Sequence, residues 1–79
     1  RLLEDKKYAE SLGHFNRAAN YYYHDATLFL NRSIANHYLG NKEKSCDDLQ
    51  HVLDIAESEG FPHGITKEQV ENLIVTFCQ

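Results

Sequence analysis

The sequence predicts an all-α fold of antiparallel helical hairpins, and two observations carry that prediction. Apolar residues recur at steps of three and four in successive stretches, and a Gly, Pro or Asx residue punctuates each stretch. The centre is Ala26 to Ala56, which reads as two amphipathic helices hinged at Leu39-Gly40-Asn41. Four helices with short connections leave no room for a sheet.

In chain order, Arg1 to Asp5 reads as the tail of a helix that begins outside this chain, with Lys6-Lys7 as a turn. The next helix is expected from about Tyr8 to Tyr22, with Tyr8, Ser11, Leu12, Phe15, Ala18 and Ala19 on one face. Asp25 can cap the second helix, Ala26 to about Leu39, by accepting a bond from a free N–H of its first turn. Gly40 tolerates the left-handed conformation common past a helix end. Asn41 can cap a third helix, about Lys42 to Ser58, whose inward face is Ser45, Leu49, Val52, Leu53 and Ala56. Gly60-Phe61-Pro62 ends it, because Pro cannot continue helical bonding. Thr66 and Gln69 fit a capping box, and Val70, Leu73, Ile74 and Phe77 form the stripe of a last helix from Lys67 to Phe77.

The composition bounds what this chain does. At 79 residues it is one small domain or part of one, and its opening inside a helical pattern predicts a segment of a longer polypeptide whose other parts cover apolar surface at its ends. Eight Lys and Arg against twelve Asp and Glu give a net charge of −4, which argues against a general nucleic-acid backbone binder. No apolar run reaches the roughly 18–20 residues of a spanning helix, so a soluble chain with no membrane partner is expected. Cys46 and Cys78 form no CxxC motif and are too few and too far apart for a disulfide framework. Reduced thiols in a cytoplasmic or nuclear setting are the expectation.

Tyr8, Ser11, Phe15 and Ala18 recur as Lys42, Ser45, Leu49 and Val52, each pair 34 residues apart. That period, the Leu-Gly-Asn turn and the small-large-small order at Ser45, Leu49 and Val52 resemble the tetratricopeptide repeat family. The resemblance implies the second helix of one repeat over residues 1–23, a full repeat over 26–58 and an additional or capping helix over 66–78, all part of a solenoid. The chain departs from the family pattern at Asn36 in place of an aromatic, Lys42 in place of Tyr and Glu57 in place of Pro.

In such a solenoid the first helix of each repeat lines a concave groove, which implies a peptide- or partner-binding surface of Thr27, Leu30, Asn31, Ile34, His37 and Tyr38. Asn31-Arg32-Ser33 also resembles modules that clamp the C-terminal carboxylate of cytosolic chaperones, with Asn31 as the clamp residue. The clamp's cations would fall before Arg1 and near Phe61 and Ile65, which are not basic. The same tripeptide followed by Gly60-Phe61-Pro62 resembles repeat segments beside SET and MYND methyltransferase domains.

No nucleophile-base pair, phosphate loop or metal constellation is apparent, so neither catalysis nor a cofactor is expected. His14, His24, His37, His51 and His63 include no pair at i, i+4, and Cys46 with His51 is one step off a shared face. Asp47-Asp48 reads as a solvated helix face. Of Tyr21, Tyr22 and Tyr23, at least one is expected in the core, since a helix spreads consecutive side chains around its axis. The implied function is a non-catalytic interaction scaffold for a protein or peptide ligand, or an auxiliary segment of a larger enzyme.

Overall fold

A computed structural model describes the backbone of residues 2–78 and the side chains of residues 7–78. Arg1, Gln79 and the side chains of residues 2–6 lie outside the described residues. The expected all-α class is met, with helices α1 (Leu2–Ala19), α2 (Ala26–Tyr38), α3 (Lys42–Glu59) and α4 (Lys67–Phe77). No strand occurs among the described residues.

Each helix runs back along the one before it. Tyr8 meets Tyr38 and Asn16 meets Arg32, which sets α2 antiparallel to α1. Phe29 meets His51 and Ser33 meets Ser45, which does the same for α3 on α2. Cys46 meets Cys78 while Leu53 and Lys67 share a surface hollow, so α4 returns along α3.

Local chemistry explains most of the helix ends. Asp25 caps α2, its Oδ1 accepting the Leu28 N–H at 3.2 Å. At the start of α4 the capping box is complete: Thr66 Oγ1 accepts the Gln69 N–H at 3.1 Å and Gln69 Oε1 accepts the Thr66 N–H at 3.0 Å. Gly40 has φ 82°, a conformation that side chains with a Cβ rarely adopt. Gly60 closes α3 at φ 83° and ψ 167°, a region open essentially to glycine alone. Asn41 departs from expectation: it stands at the N-cap of α3, but its side chain makes no capping bond and donates instead to Asn36 Oδ1 at 3.2 Å.

The first helix also differs from expectation at both ends. It runs unbroken through Lys6-Lys7, because the stretch from Leu2 to Leu12 contains no Gly or Pro and its Leu, Lys and Glu residues are good helix formers. It stops at Ala19, where the Tyr21 and Tyr22 N–H groups both donate to the Ala18 carbonyl, at 3.0 and 2.8 Å. Tyr21, Tyr22 and Tyr23 therefore leave the helix and remain 84%, 62% and 60% exposed, so none of them is a core residue.

The core joins α2, α3 and α4 through Ala26, Phe29, Leu49, Val52, Ile55, Val70 and Phe77. On α3 the buried face is Ser45, Asp48, Leu49, Val52 and Ile55, whereas Leu53 and Ala56 are only half-buried. The true stripe is thus rotated from the expected one by a fraction of a turn. Residues 34 apart are unequally covered: Ser45, Leu49 and Val52 are 0% exposed beneath α2, while Ser11, Phe15 and Ala18 on α1 are half-buried.

Cys46 and Cys78 are disulfide-bonded, with their Cα atoms 5.7 Å apart. This overturns the expectation of reduced thiols. The antiparallel return of α4 brings together two positions separated by 32 residues, which no local spacing rule anticipates. It also removes the premise on which a cytoplasmic or nuclear setting was expected. Closing a loop of that length disfavours the unfolded chain by about 3–4 kcal/mol in the chain-entropy picture.

Leu49→Ala is expected to cost about 2–5 kcal/mol in urea unfolding, because it opens a cavity at a fully covered position. Phe15→Ala should cost about 1–2 kcal/mol, since much of that ring is already in water. Equal losses for the two variants would contradict the unequal covering of α1 and α3.

Candidate functional site

The Asn31-Arg32-Ser33 tripeptide divides by role once its surroundings are seen. The Arg32 guanidinium grips Asp48 with two bonds, Nε to Oδ2 at 2.9 Å and NH2 to Oδ1 at 2.6 Å. It also donates to Asn16 Oδ1 at 3.3 Å and lies 4.9 Å over the Phe29 ring. Ser33 Oγ donates to its own helix at Leu30 O, while its carbonyl accepts from Ser45 Oγ at 2.8 Å. Two of the three residues are therefore occupied in joining helices. Asn31 alone is exposed.

Asp48 is buried and is not part of a solvated face, whereas its neighbour Asp47 is exposed as expected. Besides the fork from Arg32, Asp48 Oδ2 accepts from Asn36 Nδ2 at 3.2 Å. Asn36, 2% exposed, in turn accepts from the Asn41 amide. Three donors thus compensate one desolvated carboxylate, and no buried side-chain nitrogen or oxygen among the described residues lacks a partner. Periodicity alone could not find this cluster, because its members come from three helices and the cation lies 16 residues before the anion.

The six predicted groove residues do not form one continuous open surface. Thr27 and Asn31 are exposed on α2. Leu30 and Ile34 are half-buried and pack against the core. At the far end of α2, His37 stacks on Phe77 with ring centroids 3.8 Å apart, and Tyr38 stacks on Tyr8 at 4.7 Å. Asn31 and Ile34 line a cleft of about 200 Å³ with Tyr8, Ser11, Phe15 and Ala35. This α1–α2 cleft was missed in sequence because Tyr8, Ser11 and Phe15 read only as a packing stripe.

The remaining clusters carry little chemistry. Phe29 packs edge to face with both Tyr23 and His51, whose own rings are tilted at 52° to each other, and His51 Nε2 lies 2.9 Å from the Tyr23 carbonyl oxygen. His24 Nδ1 stands 3.1 Å from Glu59 Oε2 at an exposed position. Among the described residues no group of three His, Cys, Asp or Glu side chains is placed to hold a metal ion. None of their helices is long and apolar enough to cross a membrane.

Compared with known proteins, the chain matches no family model, and no curated protein or solved structure is significantly similar to it.

Asp48→Ala is expected to cost about 3–5 kcal/mol, towards the lower figure because the Arg32 side chain keeps 22% of its surface in water. Replacing both partners together by Arg32→Met and Asp48→Leu should be less damaging than Asp48→Ala alone, as no lone charge then stays buried. Urea unfolding of the single and double variants measures the difference, and a double variant worse than the single would refute an interhelical ion pair.

Proposed function

We propose that this chain is a tetratricopeptide-type helical segment that serves as a non-catalytic scaffold, offering the α1–α2 cleft and the exposed edge of α2 to a peptide or neighbouring domain. The observation that carries this reading is the unequal covering of repeat-equivalent faces. Ser45, Leu49 and Val52 are fully covered, while Ser11, Phe15 and Ala18 are half-buried, the first two lining the cleft with Asn31. A half-apolar cleft flanked by an amide that can both donate and accept suits a main chain with apolar side chains. Within a longer parent chain, the same open faces would pack against its other helices.

The two narrower readings have less support. The cleft around Asn31 is lined by Tyr8, Ser11, Phe15, Ile34 and Ala35, without a Lys or Arg to bind a terminal carboxylate. The Gly60-Phe61-Pro62 turn has a packing role of its own, since Gly60 terminates α3 and Phe61 lies against the core. Neither a chaperone clamp nor a methyltransferase parent is needed to explain these residues.

A peptide selected on this chain from a random library should shift the backbone amide signals of Thr27, Asn31, Ile34 and Tyr38 when titrated. Asn31→Ala should weaken that binding about tenfold, equivalent to roughly 1.4 kcal/mol. Shifts confined to the opposite side, at Asp47 and Asp54, would reject this surface.

A further inference from the structure

The last turn of α4 combines a buried aromatic ring with a covalent link to α3. Val70, in the first turn, is fully buried, whereas Leu73 and Ile74 are half-buried and Val75 is exposed. Beyond them Phe77 stacks on His37 of α2, and Cys78, at the C-cap, is bonded to Cys46 of α3. The disulfide, the buried Phe77 ring and the packing of Leu73, Ile74 and Cys78 against the core thus hold this end together. Both cysteines are half-buried, and Cys78 packs against the core.

We propose that Cys46–Cys78 is a thiol–disulfide exchange site whose oxidation state decides whether the last turn of α4 is docked on α2 and α3. A thiolate of a dithiol reductant attacks one protein sulfur, forming a mixed disulfide and releasing the other cysteine, which takes up a proton. The reductant's second thiol then displaces the remaining cysteine. The reductant ends as a disulfide, and two electrons and two protons have passed to Cys46 and Cys78. With the bond intact, Cys78 cannot leave α3, so Phe77 is held against His37 at high effective concentration. Once it is cut, Phe77 and Ile74 hold the turn against fraying alone, while Val70 and the capping box keep the start of α4 in place. The fully covered α2–α3 contact at Ser45, Leu49 and Val52 does not involve the sulfurs and stays closed. This inference concerns the docking of α4 and stands apart from the interaction reading above.

Amide hydrogen exchange of the full chain, compared before and after dithiothreitol, tests it. Residues 73–78 should lose protection about tenfold or more on reduction and regain it on reoxidation, while α2 changes by less than about twofold. The C46S/C78S variant should match the reduced chain and ignore dithiothreitol. Unchanged protection at residues 73–78, a loss shared equally by α2 and α3, or alkylation of both cysteines in unreduced protein would each overturn the proposal.

Discussion

The arrangement of the helices depends on one charged contact, the fork between Arg32 of α2 and Asp48 of α3. Apolar packing among Phe29, Leu49, Val52 and Ile55 supplies the attraction between these helices, but such surfaces tolerate sliding and rotation. A planar guanidinium held at 2.9 and 2.6 Å from two carboxylate oxygens tolerates far less. Because Arg32 also reaches Asn16 and Asp48 also receives Asn36, the contact relates α1, α2 and α3 at once. Desolvating both charges offsets much of their attraction, so the pair contributes more to alignment than to net stability.

Where the determinants are local, the sequence is a good guide to this fold. The Asp25 cap, the Thr66–Gln69 box and the positive φ of Gly40 depend on residues within four positions of one another, and all appear where the pattern places them. The ends of α1 are less legible, because Lys6-Lys7 is polar without being helix-breaking and the exit at Ala19 is set by backbone bonds to Ala18. Non-local chemistry is not legible at all. Asp48 looks like a solvent-facing carboxylate until Arg32 is brought beside it, and Cys46 looks unpaired until α4 returns along α3.

The candidate surface follows the same division. Periodicity places Thr27, Leu30, Asn31, Ile34, His37 and Tyr38 on α2, but it cannot tell which neighbour occupies each of them. Leu30 and Ile34 turn partly inward, and two ring stacks occupy His37 and Tyr38. What remains open is set by the helix that α2 meets on its other side, so the cleft belongs to α1 as much as to α2.

Asn36 shows how hydrogen bonding can hold a polar side chain in a buried place. Its amide donates to Asp48 Oδ2 and its oxygen accepts from Asn41, while its backbone carbonyl accepts the Asn41 N–H at 2.8 Å. A ring at this position would add apolar contact but would strip Asp48 of one donor and leave the Asn41 amide without its acceptor. Asn36 is therefore coupled to Asp48: with the carboxylate buried between helices, an amide suits the site better than a ring. The same coupling explains why Asn41 forgoes its capping bond, since its side chain closes the hinge between α2 and α3 instead.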